Sequence, residues 1–391
     1  MKLFKSLLIA PATLGLLAPM SASATEINLN EISNYSDVES IEFTNSFDND
    51  DSALNQLLAG GEGLVDDSHD GGFSETTTAS FSADFYIGAE DSSYNETSGT
   101  GTATDNDFDD DINATYSFQI DLNTSFTGED SLDISLDAGN SGAPGTAEFD
   151  GNGGGDGLTV DGVAYTFPVG GATLFVGDNS DGSSLYTTAC VYGGPSNTLD
   201  DCANVNAGFT GGEVAAGASY DFGNGFTAAT GMQTSSTGVL TEESLDSYGL
   251  NAAYIGESYG VSLTYGITQS STTEENTSTA LNAYYDFDGS LPSVSVGYEI
   301  TDLGGEAAGV DEQESLFLGL TWDEVGPGEL GLALGHSNTT EGDEEEYMYE
   351  AYYSYPINDG MSITPLIYVK EQNDPGQDDS TGVMVKTSFS F

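Results

Sequence analysis

The chain is almost without basic residues. Of its 391 residues four are Lys and none is Arg, against 65 Asp and Glu, for a formal charge of −61. Nothing in such a chain could neutralise phosphates, which excludes nucleic acid as a partner. The missing Arg also argues against an enzyme that grips phosphate or carboxylate substrates in a bidentate fork. Cysteine is limited to two residues and Trp to one. Long hydrophobic runs are missing too: Leu7 to Leu17 is interrupted by Pro11 and is short of the ~20 residues a helical span needs. High charge with scattered apolar residues is a mark of disorder. Against that stand 21 Tyr, 19 Phe, 37% hydrophobic residues and only 10 Pro. The 51 Gly have no period and suit many short turns.

The first 24 residues read as a secretory signal peptide. Lys2 and Lys5 form its basic start, Leu7 to Leu17 its apolar centre, and Ala22-Ser23-Ala24 its cleavage site. Removing it takes two of the four Lys and moves the charge from −61 to −63. Residues 25–77 form an acidic extension without strand pattern, and 78–391 a β domain. Cys190 and Cys202 bracket VYGGPSNTLDD, a loop that a disulfide could staple in an exported protein. No His lies near them and no CxxC spacing is present, so a metal pair is disfavoured.

From Thr78 onward, apolar and polar residues alternate with period two. Ala114, Tyr116, Phe118, Ile120 and Leu122 alternate with Thr115, Ser117, Gln119 and Asp121. Sixteen such segments can be drawn: 78–88, 114–122, 131–138, 158–167, 172–178, 214–222, 226–233, 248–255, 259–267, 280–288, 293–301, 315–323, 329–336, 347–355, 361–369 and 382–391. Every odd-numbered connection between them is longer than every even one, 10–35 residues against 3–8. A soluble sandwich has no reason to sort its loops. A transmembrane barrel does, with short periplasmic turns, long external loops and an even number of strands. The predicted fold is therefore all-β, a 16-stranded antiparallel transmembrane β-barrel, wide enough for an aqueous channel.

Parity then assigns faces. The apolar set must meet lipid, because unpaired charge in hydrocarbon is costly. The alternate set lines the lumen: Asp84, Asp121, Asp133, Asp137, Asp221, Asp286, Glu299, Asp323 and Glu350, with Lys370 and Lys386 as the only bases. A tube lined by one sign concentrates counter-ions, which predicts a preference for inorganic cations. No cofactor or metal site is expected. Asp105 to Asp111 starts like an EF-hand loop but has Asp110 where the turn Gly belongs. GNGGGDG at 151–157 is a single partial match to a calcium β-roll repeat. A hydrolase would need a nucleophile–base pair. His69 lies in the extension, and parity puts His336 on the outer side at the rim.

The last strand, GVMVKTSFSF, ends on Phe389 and Phe391 with one apolar face. A terminal aromatic in this setting resembles the assembly signal of bacterial outer-membrane barrels. LNTSFTGEDSLDISLDAGN (122–140), VAYTFPVGGATLFVGD (163–178) and CVYGGPSNTLDDC (190–202) resemble the major outer-membrane porins of cyanobacteria, grouped with OprB-type, carbohydrate-selective porins. So do the signal peptide and the start EINLNEISNYS. Residues 25–77 are too few for the S-layer-homology module those proteins carry, and its Trp-containing repeat is absent, the one Trp being Trp322.

The resemblance implies a trimeric diffusion channel integral to the outer membrane and surrounded by its lipid. It also implies that the third long connection, 179–213, folds into the barrel and narrows it. The Cys190–Cys202 bridge would stiffen that constriction, and Asp181, Asp200, Asp201 and Glu213 would line it. The expected function is passive passage of small hydrophilic solutes and inorganic ions. The alternatives are a channel selective for small sugars, or a secreted acidic β-rich surface protein or adhesin. The latter predicts polar residues on both strand faces and unsorted loops.

Overall fold

The computed structural model describes residues 77–390 except 98–102, 109–110, 142–145, 150, 212, 238, 240, 242–244, 272–273, 288, 308–309 and 374–378. The predicted signal peptide, residues 25–76 with His69, and Phe391 lie outside the described residues. Seventeen strands follow in order. They are β1 (Thr77–Thr97), β2 (Ala103–Phe108), β3 (Asn113–Thr124), β4 (Ser131–Gly139), β5 (Gly155–Val169), β6 (Ala172–Asp178), β7 (Val214–Gly223), β8 (Phe226–Thr234) and β9 (Asp246–Ile255). Then come β10 (Tyr259–Ser271), β11 (Glu274–Tyr285), β12 (Ser293–Ala307), β13 (Val310–Val325), β14 (Gly328–Thr340), β15 (Met348–Asn358), β16 (Met361–Lys370) and β17 (Ser380–Ser390).

Sixteen of them close a barrel. β1 pairs antiparallel with β3 on one side and with β17 on the other, and each remaining strand pairs with its sequence neighbours. Closure leaves no sheet edge with unpaired backbone groups, the condition for crossing a membrane on strands. β2 stands apart: it pairs only with the far end of β1, Ser92–Thr97.

The period-two pattern sorts the side chains as lipid and water require. Phe85, Ile87, Val176, Leu250, Leu263, Leu281, Ile367 and other large apolar residues stand exposed on the outer wall. Tyr and Phe edge this apolar zone. Near the short turns the rings of Tyr220 and Phe222, Phe226 and Tyr254, and Tyr285 and Phe287 lie 4.6–4.8 Å apart. On the long-loop side Tyr116, Tyr248, Tyr298 and Tyr349 each donate a hydrogen bond to a carboxylate, from Asp156, Asp246, Glu314 and Glu371 respectively. Two aromatic girdles of this kind mark the interfaces of a membrane barrel.

The short turns have the chemistry that two-residue hairpins demand. Gly170 and Gly171 join β5 to β6 and both have positive φ (59° and 97°). Asn224-Gly225 does the same between β7 and β8 (56° and 85°). These are the residues that type I′ turns select. The turn 125–130 works differently. Asp130 accepts hydrogen bonds from Ser125 Oγ (2.7 Å), Phe126 N (2.9 Å), Thr127 N (2.7 Å), Thr127 Oγ1 (2.8 Å) and Tyr165 OH (2.6 Å). Burial pushes its carboxyl upward, but the bonds from Tyr165, Thr127 and Ser125 outweigh this and hold it well below the usual carboxylate range.

A free Asp titrates near pH 3.9. The contribution of this turn is therefore complete above about pH 4 and is lost as pH falls toward the lower folded value. Asp130→Ala is expected to lower by several degrees the temperature at which the barrel converts to its slower-migrating form on gels. The deficit should persist at pH 7 and shrink at strongly acid pH.

Three expectations need correction. β5 does not alternate throughout: Ser135 faces Gly162 and Leu136 faces Val160, so Asp161 is an extra, bulged residue. Below it Val163, Tyr165 and Phe167 share the outer parity, and above it Leu158 and Val160 do. A bulge re-aims side chains in this way. Second, the sorting of connection lengths is not strict. β10–β11 and β12–β13 continue as ladders to residues 271 and 307, so only two residues separate the paired strands at each tip. Their length is spent as hairpin rather than as loop. Third, β11 ends at Tyr285, so Asp286 lies in the following turn rather than on a strand.

Candidate functional site

The connection 179–213, here L3, lies inside the barrel against the strands from β8 to β15. Side chains of successive strands hold its backbone. Gln233 on β8 accepts from Gly182 N (3.1 Å), and Asn251 on β9 from Thr187 N (2.9 Å). Ser262 on β10 accepts from Ala189 N (2.8 Å), and Ser295 on β12 from Val191 N (3.0 Å). On the return limb Asn282 on β11 donates to Cys202 O (2.7 Å).

Glu299 on β12 is the strongest anchor. It accepts from Asn206 N (3.0 and 2.9 Å), Asn206 Nδ2 (2.8 Å) and Ala207 N (2.8 Å). Tyr192 OH donates to Glu350 on β15. Burial, and then the Glu350 carboxylate beside it, push the Tyr192 hydroxyl far above its ordinary value, so it remains a donor.

Small residues on the wall make this close approach possible. A Cβ on Gly297 would sit 1.8 Å from Cys202 O, and one on Gly231 1.8 Å from Gly182 O. The sulfurs of Cys190 and Cys202 are bonded, joining the two limbs with Cα atoms 6.5 Å apart. Cys202 and Ala203 have positive φ (53° and 57°), which turns the return limb sharply.

The predicted lumen carboxylates fall into different settings. Glu299 and Glu350 point inward but lie under L3, 1% and 5% exposed. They hold the loop and do not face open lumen. Asp133, Asp221, Asp286 and Asp323 sit near the short-turn rim. There Asp133 accepts from Asn123 and Ser131, and Asp221 from Gly223 N (2.7 Å). Asp286 and Asp323 line an open groove of about 450 Å³ beside Trp322. Asp84 pairs with Lys386 at 3.4 Å.

The remaining two, Asp121 and Asp137, belong to a cluster. They and Asp181 of L3 all repel the carboxylate of Asp161, which the bulge brings to the same side. Asp161 escaped the sequence reading because uniform alternation through 158–167 hides the parity slip. The slip is visible in retrospect, since Leu158 and Val160 are even and Val163, Tyr165 and Phe167 odd.

The predicted constriction residues also separate. Asp181 accepts from Gly211 N (2.6 Å) at the neck of L3. Asp200 and Asp201 line a hollow of about 340 Å³ between its limbs, with Tyr186, Thr188 and Asn204. Glu213 is at the rim, where hydrogen bonds from Ser236 hold its carboxyl below its ordinary value.

A second loop, L2, between β4 and β5, also folds inward at its described residues 146–149. A 3₁₀ turn, Ala147–Phe149, places Phe149 against Tyr86 of β1, rings 5.2 Å apart. Glu148 in that turn meets Lys370 of β16 at 3.2 Å. Both lysines of the barrel are thus ion-paired. Phe389 of β17 lies opposite Ala83 and Met361, its ring 6.0 Å from that of Phe85. His336 is buried at the long-loop rim, with Nδ1 2.8 Å from Thr339 Oγ1 and its ring edge-on to Tyr347.

No family model and no curated protein matches the chain. Solved structures do. OprB of Pseudomonas putida, in its high-pH structure, is 14% identical over 80% of this chain and 94% of its own, with a TM-score of 0.53. An anion-selective porin from Comamonas acidovorans matches at 14% identity over 81% and 99%, TM-score 0.56. A mutant of the Rh. blastica porin matches at 14% over 81% and 100%, TM-score 0.54. The chain has the porin-type sixteen-stranded barrel. At such identities the likeness is one of fold, and the lining must be read from the residues.

Proposed function

We propose that this protein is an outer-membrane porin, a passive channel for small hydrophilic solutes and inorganic ions that favours cations. The observation that carries the reading is the charge of the lining. L3 covers the wall from β8 to β15. The wall of β3–β5 carries Asp121, Asp137 and Asp161, and Asp181 stands beside them. L3 itself adds Asp200 and Asp201. The two lysines that could offset these acids are each paired, with Glu148 and Asp84. One sign of charge in a low-dielectric tube enriches the opposite ion.

An ion channel fits this interior better than a sugar channel. The inward rings of Tyr86, Phe175, Phe317, Tyr352 and Tyr368 are all buried and offer no aromatic track to a solute. The same reading includes export by a cleaved signal peptide, trimeric assembly, and the cyanobacterial affinity of the 122–140, 163–178 and 190–202 motifs.

The test is a planar bilayer under a KCl gradient. The reversal potential is expected to have the sign of cation selectivity. Anion selectivity would refute the reading, as would recovery of the folded protein in the soluble fraction alone.

A further inference from the structure

L2 and L3 meet at one point in the lumen, and the contact is improbable on charge alone. L2 brings Glu148, and the adjoining part of L3 carries Asp200 and Asp201. The loops of a chain this acidic should repel one another. Yet Asn197 N donates to Glu148 O (2.8 Å), and Thr198 Oγ1 donates to Glu148 Oε2 (2.9 Å). The remaining oxygen, Oε1, takes Lys370 Nζ at 3.2 Å. The same Nζ donates to Thr198 Oγ1 at 3.2 Å. The three side chains thus close a ring that joins β16, L2 and L3. With four Lys in the whole chain, two of them in the predicted signal peptide, a lysine at this junction is a specific expenditure.

We infer that Lys370 is a positioning residue: with Glu148 and Thr198 it latches L2 onto L3 and thereby sets the width of the opening. The inference rests on the channel reading for its consequence, though not for its geometry. Both sides of the latch are otherwise rigid. Phe149, next to Glu148, is packed on Tyr86, and both are buried in one cluster with Leu199, next to Thr198, and with Phe317 and Tyr352. The shared cluster keeps both loops folded, and the latch is the polar seam above it, so its loss loosens that seam without unfolding either loop. The charge and the donors are both needed, because one cation must offset Glu148 and bridge to a hydroxyl at once. Arg supplies both and Met neither.

Three variants test this in the full chain: Lys370→Met, Lys370→Arg and Glu148→Gln. Two readouts are taken, single-channel current in KCl and amide hydrogen exchange at 195–199. Lys370→Met is expected to turn a steady current into a fluctuating one of higher mean conductance. It should speed exchange at Asn197 roughly tenfold, the scale of one charge-assisted hydrogen bond.

Lys370→Arg restores both readouts, Glu148→Gln reproduces the defect, and the double variant Lys370→Met/Glu148→Gln is no worse than either single one. If Lys370 were instead an exposed lining charge, Lys370→Met would raise cation selectivity, Glu148→Gln would lower it, and the two would cancel with the current steady and exchange unchanged. That pattern would overturn the latch. The exchange readout does not depend on conduction. A wild-type protein that passes no current refutes the channel and still leaves the latch to be decided by exchange at 195–199.

Discussion

Replacing Asp121, Asp137, Asp161 and Asp181 together by Asn is expected to remove most of the cation preference, lowering the K⁺ to Cl⁻ permeability ratio roughly tenfold toward unity. These four carboxylates share one stretch of wall, and each of the other three acts on Asp161. Like charges gathered in a narrow aqueous lumen add where they lie within the screening length, about 8–10 Å at physiological strength. Asn preserves most of these contacts: one oxygen remains for the donors at Asp121 and Asp181, and Asp137 keeps Thr159 while giving up its bond from Asn152. Asp121 Oδ1 accepts from Gln119 (2.8 Å) and Ser135 (2.7 Å), Asp137 Oδ1 from Thr159 (2.7 Å), and Asp181 Oδ1 from Gly211 N (2.6 Å).

The matched control is Asp286→Asn with Asp323→Asn, at the open short-turn rim, where screening leaves little effect. The measurement is reversal potential across a KCl gradient, repeated at high salt. Equal losses per carboxylate replaced in the two sets would mean that net charge rather than position governs selectivity.

The second large effect is expected at Glu299. Its carboxylate is buried and satisfies the backbone N–H of Asn206 and Ala207 together with the Asn206 side chain. Glu299→Ala leaves the two backbone donors without that acceptor, at about 1–3 kcal/mol for each buried group, while the Asn206 amide keeps Asn338 (2.6 Å). Taking about 3 kcal/mol in all, and about 1.4 kcal/mol per tenfold, the fraction of channels with the return limb undocked rises roughly a hundredfold. Single-channel conductance and the size limit for neutral polymers should both increase. The limb should not unravel, because the disulfide and the bonds from Ala189 to Ser262 and Val191 to Ser295 remain. Glu299→Gln, which keeps one acceptor, should fall between. An unchanged polymer cut-off in Glu299→Ala would show that L3 is held without this anchor.

All sixteen barrel strands were legible as alternation, except that β5 changes parity at Asp161, and the short connections fell where Gly170-Gly171 and Asn224-Gly225 make the turns. The lipid-facing set was legible for the same reason: each strand meets hydrocarbon on its own, so desolvation writes its pattern residue by residue. Charges at the lumen were read as inward but not sorted further. Period two tells inside from outside. It does not tell a side chain facing water from one covered by a loop 93 positions away in sequence, the separation of Asn206 from Glu299. Glu148 gave no signal at all, lying in a short turn between strands.

The sequence by itself determined the barrel and the excess of acidic over basic residues in the chain. Only the tertiary structure decided which acids face the opening and which hold the loops. Strand patterning follows from local contact with lipid. The docking of L3 and L2 depends on glycines, serines and carboxylates from eight strands converging on two loops. No local pattern records such a meeting, because each partner taken alone is an ordinary polar or small residue.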